Sequence, residues 1–257
     1  MNSNIERTTC VIIPARMDSK RFPGKVLWKF LGIPMIEHVY RRACLAISPE
    51  NIYVASGDLE ILSRLKSINC QVLKSTREHL HGMSRVAEAI QILDYKTVIM
   101  LQADEILIDP AHLKELIRNI HNTKDAECFN LISKVHDKNQ LSDRNVVKCL
   151  IDENQDISDI FREDAKYFKF KDIYKIMGTI ALTKKSLVNL SLTPDSMSQV
   201  KLSIEQMKIL ESTYALRGVI VNSSYPSVNS PEEVKLVERC IIESYQQRQI
   251  LNSYINS

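Results

Sequence analysis

The sequence predicts an α/β protein built on a mainly parallel sheet, and three observations carry that expectation. Short apolar runs rich in β-branched residues alternate with segments of helical spacing through roughly the first 120 residues. The first run, Cys10–Pro14, stops at a proline, as a buried strand would. A composition of 44% hydrophobic and 25% charged residues over 257 positions leaves ample apolar material for a large core.

Taken in order, Cys10–Pro14 is the first strand, and a polar loop follows it. Pro34–Leu45 is a helix, because Met35, Ile36, Val39, Tyr40 and Ala43 recur at helical spacing. Asn51–Ser56 is a strand, Leu59–Ile68 a helix and Cys70–Leu73 a short strand. Ser84–Leu93 is a helix, and Thr97–Gln102 is a continuous apolar strand ending at Ala103-Asp104-Glu105. Pro110–Ile120 is a helix with proline placed at its start. The second half is more mixed. Strands are expected over Ala126–Val135, Val146–Ile151, Ile176–Leu182 and Gly218–Asn222, with helices over Ile204–Ala215 and Pro231–Ile250.

Composition narrows the function. A formal charge of +3 with scattered Lys and Arg gives no nucleic-acid footprint. The six cysteines show no CxxC or other metal-ligand spacing, and most lie in apolar runs, so they read as buried reduced thiols. Met1–Thr9 is polar, without the apolar core of a signal peptide, and no run approaches the roughly 20 apolar residues of a membrane span. A cytoplasmic protein without membrane insertion is expected.

In open parallel sheets, ligands bind beyond the carboxyl ends of the strands. That rule selects the loop after Pro14 and the acidic turn after Gln102. The loop carries Arg16, Lys20, Arg21 and Lys25 within ten residues, with Pro23-Gly24 fixing a turn just before Lys25. Converging cations on a flexible backbone suit a triphosphate, although GxxxxGK[ST] is absent. A solvated basic loop is the structural alternative. At the second place, Asp104 can hold Mg²⁺ against phosphates, whereas an Asp-Glu pair alone is more often a turn. His79 and His81 bracket a turn without further ligands, and Trp28 and Phe30 suit packing better than base stacking.

PAR…RFPGK followed by LGIPMIEHVYRRA resembles the start of the CMP-sugar-acid synthetases, in particular the 3-deoxy-D-manno-octulosonate (Kdo) cytidylyltransferases. TREHLHGMSRVAEA, VIMLQADEILI, NVVKCLIDE, IEQMKILE and YPSVNSPEEV follow in the expected order, so the resemblance spans about residues 10–240. It implies a Rossmann-like three-layer nucleotidyltransferase fold in a single domain over 1–257. Within it, about 126–200 would hold an inserted sugar-binding and dimerisation region. The implied activity joins CTP to a 3-deoxy-ulosonic acid, with Mg²⁺ as cofactor, to give a CMP-sugar and pyrophosphate. It also implies a homodimer and a place in lipopolysaccharide biosynthesis.

The resemblance further implies roles for single residues. Lys25, Arg16 and Asp104 would be catalytic, with Arg16 and Lys25 on the triphosphate and Arg21 close by. Gly82, Ser84 and Arg85 would lie near the base, Gln102 near the ribose or elsewhere on the nucleotide, and Asp104 and Asn229 would be metal positions. Arg162 would meet the sugar-acid carboxylate, and Glu205 and Glu211 its hydroxyls; without the resemblance, Glu205, Lys208 and Glu211 read as the exposed face of a helix. The chain also departs from the family pattern. GDEP has become Ala103-Asp104-Glu105-Ile106, Val-Asp-Thr-Pro has become Val228-Asn229-Ser230-Pro231, and SGTER has become His81-Gly-Met-Ser-Arg85. A sugar-facing histidine and tyrosine are replaced by Ile176 and Ile180. Two other functions remain open: a nucleotidyltransferase for a different acidic sugar or a phosphonate, and a nucleotide-binding paralogue with little activity. Asn229, which precedes Ser230-Pro231, also suits a helix cap.

Overall fold

Successive apolar, mostly β-branched residues leave Thr9–Pro14 (β1) with no face for water, and all six of its residues are buried. The computed structural model describes residues 8–135, 137–163 and 173–255. The chain divides into two units, Met1–Lys114 with Tyr225–Ser257, and Glu115–Ser224.

After β1 the first unit runs through Lys29–Phe30 (β2), Ile33–Pro34 (β3) and Met35–Cys44 (α1). It continues through Ile52–Ser56 (β4), Leu59–Lys66 (α2), Gln71–Lys74 (β5), Gly82–Ala89 (α3), Thr97–Leu101 (β6) and the start of Pro110–Asn122 (α4). Strand β1 lies between β4 and β6 and β4 also pairs with β5, every pairing being parallel. This is the βαβ pattern that the alternation predicts. Ile12 pairs with Met100, so the loops leaving β1 and β6 emerge side by side at one edge.

Helix α1 buries Met35, Ile36, Val39, Tyr40 and Ala43 as expected, and also Glu37, His38 and Arg42. Each of these polar groups has partners. Glu37 takes Arg41 at 3.0 Å and a short ion pair from Arg64. The Phe30 carbonyl can only accept, so His38 Nε2 carries the proton and donates to it at 2.9 Å, and Nδ1 accepts from the Tyr254 hydroxyl at 2.6 Å.

Burial is the main cause that lowers the His38 pKa from 6.5 to about 4; the Phe30 bond and Glu37 oppose it, while Arg42 and Arg41 add to it. The unfolded chain takes up this proton near pH 6.5 and the folded chain only near 4, so protonation between the two favours unfolding. The contribution, roughly 3 kcal/mol, is fully present above pH 6.5 and is lost as pH falls through that window. Denaturant midpoints measured from pH 7 down to 4 should therefore drop more steeply for the native protein than for His38→Gln. Equal slopes would refute the assignment.

The second unit contains Cys128–Lys134 (β7), Lys148–Ile151 (β8), Ile157–Phe161 (β9) and Tyr174–Thr183 (β10). Lys184–Leu192 (α5), Met197–Leu202 (α6) and Leu216–Val221 (β11) follow. Strand β7 pairs in parallel with β11 and antiparallel with β10; β10 pairs antiparallel with β8, and β8 with β9. Phe129, Leu131, Ile132, Ile180, Leu182, Leu187 and Val219 are among its buried side chains.

Three expectations need correction. Strand β9 escapes the sequence reading because Ser158 and Asp159 are both exposed and break the alternation. The helix expected over Ile204–Ala215 shrinks to one turn, Met207–Leu210, after Ser203 ends α6 in the left-handed region at φ 53°. The long helix over Pro231–Ile250 divides into a 3₁₀ turn at Pro231–Glu233, Val234–Glu243 (α7) and Tyr245–Ile255 (α8). Extended Ser244 makes the break, and its hydroxyl accepts the Gln247 N–H at 3.3 Å to start α8.

All six cysteines are free, and Cys10, Cys70, Cys128 and Cys149 are buried. Burial pushes the Cys70 and Cys128 thiols up to about 12, far from thiolate chemistry. No helix among the described residues is long and apolar enough to cross a membrane.

Candidate active site

The loop leaving β1 is anchored before it is charged. Ala15 donates to the Ala55 carbonyl at 2.9 Å, Met17 N–H to the Asp58 carboxylate at 2.9 Å, and Phe22 and Val26 are buried. Gly24 closes the loop at φ 72°, donating to the Met17 carbonyl at 2.9 Å. Any side chain at this position would be strained by that φ, which is why the turn takes glycine.

The turn aims Lys25 across the edge. Its Nζ donates to Asp104 Oδ2 at 2.7 Å and to the Val228 carbonyl at 2.9 Å. Arg21 Nη2 donates to Asn229 Oδ1 at 2.9 Å. Thus two cations of the phosphate-type loop rest on the two positions expected to hold metal. The Asp104 carbonyl in turn accepts the Val228 N–H at 3.2 Å, tying the two segments together.

A second group assembles at the start of α3. Arg16 Nη1 reaches the Leu80 carbonyl at 3.2 Å, next to the Gly82–Ser84 turn. Ser84 Oγ donates to the His81 carbonyl at 3.0 Å and lies 3.1 Å from His79 Nδ1. His79 Nε2 meets Glu88 Oε2 at 2.5 Å, and Glu88 also accepts the Thr76 N–H at 2.9 Å. Burial works to raise the Glu88 pKa, but hydrogen bonds from Thr76 and His79 outweigh it and hold it at about 2. His79 is therefore engaged in bracing this turn. Arg85 is 7% exposed, and burial, opposed by Asp58 and aided by Arg16, lowers its pKa. Gln102 is half-buried at the end of β6.

The remaining three residues lie in the second unit. Arg162 spends its guanidinium on backbone carbonyls: Nε on Leu202 at 2.8 Å, Nη1 on Arg144 at 2.9 Å and Nη2 on Ser203 at 3.3 Å. Glu205 is half-buried. Glu211 is exposed, and hydrogen bonds from Ser196 and Ser198 lower its pKa. Lys208 is structural, pairing with Asp195 at 3.0 Å and the Thr193 carbonyl at 2.8 Å.

Two further findings concern side chains. Ser230, not Asn229, caps the terminal helical segment; Glu233 accepts the backbone N–H groups of both, that of Ser230 at 3.0 Å. Phe30 is buried as expected, whereas Trp28 is 49% exposed with its ring edge-on to Phe22. The sequence reading also passes over Asp58 and the Val228 carbonyl. Asp58 stands just past β4, at the same carboxyl-end edge as Asp104, and the rule that picked Asp104 would have found it. A backbone carbonyl leaves no signal in the sequence.

The donors present fit a hard divalent cation. A carboxylate oxygen and a carbonyl oxygen already converge on the Lys25 ammonium, with an amide oxygen at the next residue. Among the described residues no group of three His, Cys, Asp or Glu forms a metal cage. Such an ion would be held by Asp104, neutral oxygens and substrate phosphates.

Comparison with known proteins agrees. The cytidylyltransferase family model matches residues 10–215. The chain is 33% identical over 235 residues to 8-amino-3,8-dideoxy-manno-octulosonate cytidylyltransferase of Shewanella pealeana, covering 89% of this chain and 96% of that protein. It is 30% identical over 240 residues to 3-deoxy-manno-octulosonate cytidylyltransferase of Chlorobium limicola, covering 91% and 97%. The solved structure of CMP:2-keto-3-deoxy-manno-octonic acid synthetase complexed with CTP superposes with a TM-score of 0.83, at 24% identity over 92% of this chain and 99% of that one. It shares the nucleotidyltransferase fold expected from the sequence. With this fold and a matched model over most of its length, the chain belongs to the cytidylyltransferase family, the CTP-dependent nucleotidyltransferases.

Proposed function

We propose that this chain joins CTP to a Kdo-type 3-deoxy-ulosonic acid, giving the CMP-sugar and pyrophosphate, and that Lys25, Arg16 and Asp104 carry the reaction. The observation that carries the site assignment is the convergence of Lys25 Nζ on Asp104 and the Val228 carbonyl, in a chain of this family. Arg16, Arg21 and Lys25 receive the triphosphate. Gly82, Ser84 and Arg85 face the base, and Gln102 the ribose. Arg162, Glu205 and Glu211 serve the acceptor, for which Arg162 must give up backbone carbonyls. Part of 126–200 serves acceptor binding and pairing of subunits.

The anomeric hydroxyl oxygen of the acceptor bonds to the α-phosphorus in line with the departing group. The bond to the bridging oxygen breaks, pyrophosphate leaves and the hydroxyl proton passes to solvent. Cations preset on the loop stabilise charge gathering on the phosphates. Mg²⁺, held by Asp104 and Asn229, would supply further charge neutralisation there.

Free buried thiols support a reducing cytoplasmic setting. Exposed Leu192, Met197 and Val200 support a surface covered by a second copy, making a homodimer. The test is pyrophosphate release from CTP with a panel holding Kdo, its 8-amino-8-deoxy analogue, other acidic sugars and phosphonates. Turnover with a Kdo-type acid is expected, with consequent service to lipopolysaccharide biosynthesis. Turnover only with another acid moves the assignment, and silence with all would favour a nucleotide-binding paralogue.

Asn229→Asp tests the metal position. Mg²⁺ favours carboxylates, so the substitution should lower the Mg²⁺ needed for half-maximal activity by about threefold to tenfold at saturating CTP. Because Ser230 holds the cap, helix capping does not confound the result. An unchanged titration curve removes Asn229 from the metal site.

A further inference from the structure

We propose that Gln247 and Arg42 are positioning residues for Asp104, so that the C-terminal helix α8 works as the brace of the metal-holding turn. This rests on the reading of Asp104 as a metal ligand. Asp104 begins a tight segment in which Glu105 donates to the Gln102 carbonyl at 3.2 Å and Ile108 to the Glu105 carbonyl at 2.9 Å. Ile106, Leu107 and Ile108 that follow are buried. The Leu107 carbonyl accepts Gln247 Nε2 at 3.1 Å, and the Ile108 carbonyl accepts Arg42 Nη1 at 3.1 Å. Both side chains are 0% exposed.

The next residue continues the pattern. Asp109 accepts a short hydrogen bond from Gln246 and the Ala111 N–H at 2.8 Å. Three successive residues after the turn are thus held by α8 and α1. Arg42 also lies 6.0 Å from the Tyr254 ring centroid, and Tyr254 is the partner of His38. A buried guanidinium is an expensive way to fill space, since an apolar side chain of similar volume would pack without desolvating a charge. What the polar pair supplies is a fixed position for two carbonyls, three and four residues beyond Asp104. Such outer partners orient a ligand without touching the ion.

The test uses the full chain with CTP and Mn²⁺, reading Mn²⁺ bound in the protein–CTP complex by its paramagnetic resonance signal. Gln247→Met keeps volume and loses the donor; Gln247→Asn, a milder change, stands in if the first does not fold. Either should weaken Mn²⁺ binding about tenfold and lower kcat, with the CTP KM little changed. Leu187→Ala opens a cavity in the core of the second unit, away from the turn, and should lower the melting temperature while leaving Mn²⁺ affinity as it was. If the Gln247 variants only melt earlier and bind Mn²⁺ normally, the brace is structural and the inference is overturned. Asp104→Asn run alongside separates the two readings. If it weakens Mn²⁺ and the Gln247 variants do not, only the positioning role falls; if it does not, the metal assignment falls and takes this inference with it.

Discussion

Lys25→Ala should lower CTP-dependent pyrophosphate release by about 10²–10³-fold, equivalent to about 2.7–4 kcal/mol of barrier. The lysine is held ready: Gly24 fixes the turn, Val26 is buried beside it, and Nζ sits between Asp104 and the Val228 carbonyl. Those contacts put a charge at a fixed point without placing the side chain in the apolar core. Its removal should therefore cost about 1 kcal/mol of stability or less, since partly exposed ion pairs contribute little. Circular dichroism and a thermal melt establish the fold, and steady-state kinetics read the loss. A folded variant turning over at the native rate removes Lys25 from the mechanism.

Asp104→Asn should be at least as damaging, with a loss of about three orders of magnitude, because it removes the charge proposed to hold the metal. Asn229 is already neutral, so no second carboxylate at that position stands in for it. The amide keeps the size of the side chain and can still accept from Lys25, so packing is preserved. The signature is a rise in the Mg²⁺ needed for half-maximal rate, accompanied by the fall in kcat. Full activity at unchanged Mg²⁺ dependence would overturn the assignment of Asp104.

Much of the proposed nucleotide side was legible as a pair of loops because its logic is local. A buried strand, a proline stop and clustered cations mark the first loop, and an apolar strand running into Ala103-Asp104 marks the second. Parallel pairing of β1 with β6 then places both at one edge, as the carboxyl-end rule requires. What escaped depends on residues far apart in sequence. His38 and Arg42 lie on a helix whose polar positions would ordinarily face water; Tyr254, more than 200 residues later, covers them. The Val228 carbonyl is invisible because every residue carries one. Residues 204–215 have the spacing of an amphipathic helix, yet the left-handed Ser203 precedes a single turn there. The roles of Arg162, Glu205 and Glu211 came from resemblance alone, and Arg162 is found bound to main chain.

The Lys25–Asp104 pair has a consequence for how the proposed site discriminates among the ions around it. With ammonium on carboxylate the Lys25–Asp104 pair is neutral at rest, while Arg21 keeps its charge against the neutral Asn229 amide. An anion arriving alone, such as inorganic phosphate, can draw Lys25 away only by stranding Asp104. A divalent cation arriving alone can take Asp104 only by stranding Lys25. A metal–triphosphate complex satisfies both released partners in one exchange, the phosphates taking the lysine and the metal taking the carboxylate. In the proposed site the pair would act as a coincidence detector, releasing Lys25 and Asp104 most readily to two opposite charges delivered together.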